Sequence, residues 1–308
     1  MEVDEKLDTI GWFDMPFEMR EIVINYMDLA TKIQFSQCSK LCFEEVQLPD
    51  SRYFAVGIHY SFMGEKDVVF EMWHNELDDC YVRTVFLVCA PNQSEDGNMN
   101  SRTISVDQLI EVETKEKVID YVMYLLRGIL KFPKNCLRIL MIYIPNFPYN
   151  KMKIENNLNT LETISLSCNN QINPVNCGFI GLKQLCSIKD KVFVSNLTID
   201  QIIQLKARSI SVGYDGSEKF DIEHFVNRLF SDGNDQIDID INFGQKQDLD
   251  NIPGIYAKRN NGSGIDYLFK QRDKMTRMEC RKNESAMSSL LFSRFPATDF
   301  KESEWTIL

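Results

Sequence analysis

The sequence predicts an α+β fold in two parts, three short helices near the N-terminus and then an irregular α/β stack of strand–helix units. Apolar residues recur at helical spacing between residues 15 and 46. Three segments rich in aromatic and β-branched residues follow between residues 53 and 89, which indicates strands. Short apolar segments recur from residue 137 onward, and the first four begin 21 to 25 residues apart, a period typical of repeated strand–helix units.

The first N-terminal helix is expected to open at Pro16, because proline fixes φ and has no amide hydrogen to pair. Its predicted apolar face is formed by Met19, Ile22, Val23, Tyr26 and Met27. Asp28 can cap a second helix, and a third is expected from about Gln37 to Val46. The side chains of the third helix expected to face inward are Cys38, Leu41, Cys42 and Phe43. Three helices of this length bury little surface, so we expect them to pack on a neighbouring domain or a partner.

The middle of the chain is expected to continue with strands at residues 53–60, 67–73 and 81–89, and with a polar loop at 91–102. An amphipathic helix follows and ends at Phe132–Pro133. Its apolar face is formed by Val118, Val122, Leu125, Ile129 and Leu130.

The repeated apolar segments begin at Leu137, Leu161, Leu182 and Ala207, and a fifth ends at Asn242. The second copy, Leu161-x-x-Ile164-x-Leu166-x-x-Asn169, fits the strand of a leucine-rich repeat. Helical segments separate the copies; one opens with a capping box formed by Thr198 and Gln201, and another ends at Asp232–Gly233. Such units cannot bury their apolar faces singly and must stack, either as a regular solenoid or, as we expect here, irregularly.

A two-stranded hairpin is expected near the C-terminus, because apolar residues alternate at Ile265, Tyr267 and Phe269 and again at Met278 and Cys280. One further strand is expected at residues 290–295. The hairpin carries a basic cluster formed by Lys270, Arg272, Lys274, Arg277, Arg281 and Lys282. This cluster is a candidate site for a phosphate group on a partner or on nucleic acid, and the alternative is a solvated hairpin face.

The net charge and the cysteine pattern indicate which partners and which cellular compartment to expect. The formal net charge is −11 and the pI is about 4.9, which disfavours non-specific binding to nucleic acid or to anionic membranes. The nine cysteines are scattered without a C-x-x-C pair and are expected to be reduced core residues. There is no signal-peptide pattern and no apolar run of about 18 residues, so we expect an intracellular protein, cytoplasmic or nuclear.

The sequence lacks the common catalytic and cofactor motifs. It has no G-x-x-x-x-G-K-[ST], G-x-G-x-x-G or G-x-S-x-G motif, so phosphate-binding loops and hydrolase elbows are unsupported. A polar cluster formed by His74, Glu76, Asp78, Asp79 and Cys80 lacks zinc-site spacing and is expected to be a solvated turn. We expect no metal, no cofactor and no enzymatic activity, and an enzyme on an α/β scaffold is the least favoured alternative.

The segment from Met15 to Lys40 resembles an F-box, and the predicted F-box domain spans residues 8–48. The family's Leu-Pro-x-Glu-ϕ element, where ϕ is apolar, corresponds to Met15-Pro16-Phe17-Glu18-Met19. The apolar positions of its first helix match Ile22, Val23 and Met27, and its later Val-Ser-Lys element corresponds to Cys38-Ser39-Lys40. The register from Gly11 to Lys40 is similar to that of the expanded nematode F-box families.

A second resemblance covers about residues 192–295, within a predicted substrate-recognition region at 52–308. The F-box-associated region of the same families has two helix starts, which correspond to Asn196-Leu197-Thr198 and to Asp221-Ile222. Its hairpin motif corresponds to Arg272-Asp273. The sequence departs from the family pattern at Glu223, Phe230, Lys274 and Arg277.

The resemblance implies a substrate-recognition subunit of an SCF-type cullin–RING ubiquitin ligase, which binds a Skp-family adaptor and, through it, a cullin. The implied adaptor-binding residues, each either in the contact or in the protein's own core, are Met15, Pro16, Met19, Ile22, Val23, Tyr26, Met27 and Phe35. The candidate residues for binding a protein client are Lys270, Arg272, Arg277 and Arg281. No nucleic-acid or membrane partner is expected. The alternative is a leucine-rich-repeat-like interaction scaffold with no ubiquitin role, in which residues 1–46 cap the stack.

Overall fold

The protein has a mixed α/β fold built on one large sheet. The computed structural model describes residues 11–27, 29–46, 53–60, 67–75, 81–90, 108–131, 137–144, 146–154, 160–166, 172–214, 220–231, 238–243, 255–260, 264–271, 274–282, 288–296 and 301–307. Among these residues, no helix has both the length and the apolar composition needed to span a membrane.

Three short helices precede the sheet. A 3-10 turn at Trp12–Asp14 leads into α1 (Phe17–Tyr26), which is followed by α2 (Leu29–Cys38) and α3 (Lys40–Val46). The third helix begins at Lys40, three residues later than expected, and the predicted cap Asp28 lies outside the described residues. Helix α2 contacts both α3 and the later helix α4 (Lys115–Lys131), so the three helices rest against the sheet-containing body through α2.

Within the described ranges, fourteen strands form the sheet in the order β14-β10-β11-β12-β13-β9-β8-β7-β6-β5-β1-β2-β3-β4. The strands are β1 (Tyr53–Tyr60), β2 (Val68–Asn75), β3 (Tyr81–Cys89), β4 (Gln108–Glu111), β5 (Ile139–Tyr143), β6 (Thr163–Leu166), β7 (Lys191–Ser195), β8 (Ser209–Tyr214), β9 (Asp238–Phe243), β10 (Ile255–Asn260), β11 (Gly264–Gln271), β12 (Lys274–Lys282), β13 (Ser288–Pro296) and β14 (Thr306–Ile307). Strands β1 to β3 confirm the three strands predicted before residue 90.

The centre of the sheet is parallel. Strands β5 to β9 lie side by side in chain order, and each pairs in parallel with the next. The connections after β6, β7 and β8 contain the helices α5 (Leu182–Leu185), α6 (Ile199–Gln204) and α7 (Ile222–Ser231), respectively. Neighbouring parallel strands need such crossover connections, which is why short apolar strands alternate with helical segments here.

One of the predicted repeat strands is wrong. The segment that begins at Leu182 is the helix α5, and the strand in this part of the run is β7, at Lys191–Ser195. The spacing of Leu182 and Leu185 explains the error, because an i, i+3 pair fits one side of a helix as well as a repeat frame. The other four copies coincide with β5, β6, β8 and β9, although Asn169 of the repeat frame lies outside the described residues.

The C-terminal part of the sheet is antiparallel. Strands β11 and β12 pair from Gly264↔Arg281 to Gln271↔Lys274, which confirms the predicted hairpin. Strand β13 confirms the strand expected at residues 290–295 and pairs with β12 on one side and with β9 on the other. This second pairing joins the hairpin to the parallel strands in one continuous sheet.

One apolar core runs along the sheet. Helix α4 confirms the predicted amphipathic helix, and its side chains Val118, Val122, Leu125 and Ile129 are buried with Phe70 and Phe86 of the sheet. At the other end Phe225 of α7 packs edge-on against Phe292 of β13, with ring centroids 4.9 Å apart. Burial of these large side chains is the main stabilising contribution to such a fold.

The capping box predicted for α6 is present. Thr198 Oγ1 accepts the amide hydrogen of Gln201 at 3.2 Å, and Gln201 Oε1 accepts the amide hydrogen of Thr198 at 3.0 Å. We expect Thr198→Ala to lower the free energy of unfolding by about 1 kcal/mol, because a helix amide loses its acceptor. Urea denaturation measures this loss, and Thr198→Ser, which keeps the hydroxyl, serves as the control. An equal loss in both variants would contradict a capping role.

Candidate protein-binding surface

Helix α1 begins directly after Pro16, which is its N-cap residue. Pro16 has φ −52° and ψ 146°, and its carbonyl oxygen accepts the amide hydrogens of Met19 and Arg20, both at 3.1 Å. The helix ends at Tyr26. The next residue, Met27, has an extended backbone conformation, and its amide hydrogen is donated to the carbonyl oxygens of Val23 and Ile24. These two ends fix a helix of ten residues whose sides differ in exposure.

One side of α1 presents apolar side chains to solvent. The exposed fraction is 52% for Ile22 and 87% for Tyr26. Four exposed side chains lie at i, i+3, i+4 and i+7 on this side, and we call them the α1 face: Met19, Ile22, Val23 and Tyr26. Seven of the ten exposed large apolar side chains in the described part of the chain lie between residues 13 and 41, so exposed apolar surface is concentrated in this unit.

The other side of α1 faces the protein. Ile24 is only 4% exposed, and Arg20, one turn earlier, forms an ion pair with Glu45 of α3 in which Nη2 and Oε1 are 3.2 Å apart. The second carboxylate oxygen of Glu45 accepts the indole hydrogen of Trp12 at 2.6 Å. The Trp12 ring packs edge-on against Phe35 of α2 at 4.7 Å between centroids. Residues from the turn and all three helices therefore meet behind α1.

The eight predicted adaptor-binding residues fall into an exposed group and a half-buried group. Met19, Ile22, Val23 and Tyr26 form the α1 face, and Pro16 is exposed at the helix start. Met15, Met27 and Phe35 are half-buried. Phe35 contacts Trp12 inside the unit, so its role there is packing between helices.

The prediction of which α3 side chains face inward is partly wrong. Cys42 is buried as expected, but Leu41 is 56% exposed, and Cys38 is exposed at the end of α2. Because α3 begins at Lys40, its inward positions are Cys42 and Val46, one turn apart, and Leu41 lies about 100° away. The side chain of Phe43 lies outside the described residues.

Some residues on both sides of this unit were not predicted from the sequence. Phe13 and Phe17 are exposed apolar residues, while Ile24 and the Arg20–Glu45 pair lie inside. The sequence of α1 does indicate a helix with an apolar residue on its inner side as well as its outer side, because apolar residues occupy most of its circumference. The Arg20–Glu45 pair joins two helices and follows no local spacing rule, so the sequence alone carried no signal for it.

The basic hairpin residues have different surroundings. Arg277 forms an ion pair with Asp266, a carboxylate that is fully buried, with 3.2 Å between Nη2 and Oδ2. Arg259 binds the same Oδ2 through Nε at 2.8 Å. The guanidinium carbon of Arg259 also lies over the Trp305 ring, 4.5 Å from the ring centroid. Lys270 lies over the Tyr256 ring at 4.9 Å, while Arg272 and the side chain of Arg281 lie outside the described residues. Arg277 thus has a structural partner within the sheet.

Two cysteine thiols have environments that disfavour ionisation. Burial raises the pKa of the Cys89 thiol above its usual value, and the nearby carboxylates of Asp67 and Glu111 raise it further. Burial also raises the pKa of Cys186, against a smaller opposing effect of Lys206. A nucleophilic cysteine needs the opposite shift, so neither thiol has the character of a nucleophile. Both cysteines are only partly buried; the expectation of core cysteines holds for buried Cys42 and is wrong for exposed Cys38.

Comparisons with protein-family models, with curated proteins and with solved structures found no match to this chain.

Proposed function

We propose that this chain is the substrate-recognition subunit of an SCF-type cullin–RING ubiquitin ligase, with residues 8–48 as an F-box that binds a Skp-family adaptor. The observation that carries the proposal is the α1 face, an exposed apolar side of a small helical unit that has its own packed interior behind it. The resemblance of Met15–Lys40 to an F-box lies in the same segment and supports the proposal.

The chemistry of the α1 face suits a protein partner. Its methionine, tyrosine and branched aliphatic side chains are the types that interface cores desolvate, and no charged side chain interrupts the four positions. Leaving such a surface in water carries a free-energy cost of roughly 25 cal/mol per Å² of apolar area. Binding of an apolar adaptor surface would recover that free energy.

The remainder of the chain, residues 52–308, would select the client, and ubiquitin transfer would be carried out by other subunits. This chain would therefore need no catalytic residues or cofactor of its own. Among the predicted client-binding residues, Lys270, Arg272 and Arg281 stay candidates. We expect Arg277 to act mainly within the sheet, because it pairs with the buried Asp266.

The alternative function is a leucine-rich-repeat-like interaction scaffold without a ubiquitin role. The run of parallel strands from β5 to β9 in chain order favours it, because stacked strand–helix units arrange their strands in this way. The strands begin at residues 139, 163, 191, 209 and 238, an irregular spacing for a solenoid. In this alternative the three N-terminal helices would only cap the stack.

A reconstitution experiment separates the two functions. The full chain is mixed with a Skp-family adaptor already bound to the N-terminal part of a cullin, and the mixture is resolved by size-exclusion chromatography. The ligase proposal predicts a single peak that contains all three proteins. Elution of a folded chain apart from the adaptor–cullin pair would reject the ligase function and favour the scaffold.

A further inference from the structure

Three segments of the N-terminal unit are joined at the carboxylate of Glu45. The carboxylate binds Arg20 of α1 at 3.2 Å and Trp12 of the preceding turn at 2.6 Å, and both Arg20 and Glu45 are largely buried. The Arg20 guanidinium also lies over the Phe13 ring, 5.6 Å from its centroid. Charge-assisted hydrogen bonds of this kind hold a fixed geometry when water is excluded.

The apolar residues of α1 do not by themselves determine which side of the helix faces outward. Ile24 lies on the inner side, and Ile22 and Val23 lie on the outer side. Burying one aliphatic side chain of this size contributes about 1.5–3 kcal/mol on either side, so hydrophobic burial alone discriminates weakly between rotations of α1. A partly buried polar pair does discriminate, because only one rotation keeps both of its members bonded.

We propose that Glu45 is a positioning residue: by holding Arg20 and Trp12 it fixes the rotation of α1 that turns the α1 face toward its protein partner. The inference rests on the proposed adaptor function, because it concerns how that surface is presented. Glu45 itself points into the unit and is not part of the α1 face.

The first test measures adaptor affinity with the full chain. We expect Glu45→Met and Arg20→Met each to raise the Kd for a Skp-family adaptor about tenfold. The double variant should raise it no further, since both changes remove the same Arg20–Glu45 ion pair. The neighbouring Glu44→Met is the matched control, because Glu44 forms an exposed ion pair with Lys40 at 3.8 Å, and its loss should change Kd less than about twofold. Unchanged affinity in both single variants, or losses that add, would overturn the proposal.

The second test reads the rotation of α1 without any adaptor. Cysteines are introduced singly as Ile22→Cys and Ile24→Cys, and maleimide labelling at each position is followed by peptide mass spectrometry, which separates them from the native cysteines. We expect position 22 to react at least about ten times faster than position 24, and this ratio to fall toward one when Glu45→Met, but not Glu44→Met, is added. A ratio that Glu45→Met leaves unchanged overturns the positioning role, even if adaptor binding fails for other reasons.

Discussion

Ile22→Asp is expected to abolish most adaptor binding while leaving the protein folded. The substitution places a charge in the middle of the α1 face, where an adaptor would have to desolvate it. We expect a loss of about 2 kcal/mol or more, which is about 30-fold or more in Kd. Because Ile22 is 52% exposed in the free chain, the substitution removes little of the protein's own packing.

Two further variants serve as controls for this result. Leu109→Asp introduces the same charge at a similarly exposed apolar residue of the edge strand β4, and should leave the adaptor Kd unchanged. Ile24→Asp places the charge on the buried side of α1 and should lower both binding and helical content by circular dichroism. Equal Kd values for the wild type and Ile22→Asp would mean that the α1 face does not bind the adaptor.

The largest stability effect is expected at the buried carboxylate of Asp266. Arg259 and Arg277 both bind it, and neither arginine side chain is more than about a third exposed. We expect the Arg259→Met/Arg277→Met double variant to lose about 3–5 kcal/mol of unfolding free energy, because it removes both ion pairs and leaves the charge buried. Urea denaturation of the full chain measures the loss.

A triple variant separates the cost of the buried charge from the worth of the ion pairs. Adding Asp266→Leu to the double variant removes the carboxylate, so most of the lost stability should return. Arg228→Met is the control for an ordinary surface pair, because Arg228 and Asp200 are both well exposed, and it should cost less than about 1 kcal/mol. No recovery in the triple variant would show that the arginines stabilise the sheet mainly by packing.

Local patterns predicted most of the secondary structure correctly. The alternation in β1 to β3, the period of α4, the capping box at Thr198 and the hairpin of β11 and β12 are all short-range signals. The prediction failed where one local pattern fits two structures, as at Leu182, and the strand β7 that follows was missed with it. The order of the sheet was not predictable, because β1 pairs with β5, which lies about 80 residues later in the chain.

The candidate surface was predictable as a set of residues but not as a geometry. The spacing of Met19, Ile22, Val23 and Tyr26 placed them on one side of a helix, as the structure has them. Which side of α1 faces solvent depends on Arg20 and Glu45, two residues that meet only after α1 and α3 have packed. No periodicity in the sequence encodes that contact.

Titration calorimetry of the full chain with a purified Skp-family adaptor measures whether the adaptor binds as proposed for the α1 face. We predict a one-to-one complex with a Kd of about 1 μM or tighter and a negative change in heat capacity, because apolar surface is buried on binding. If both proteins are folded and no binding is detected at about 50 μM, far above the predicted Kd, the ligase-receptor account is contradicted.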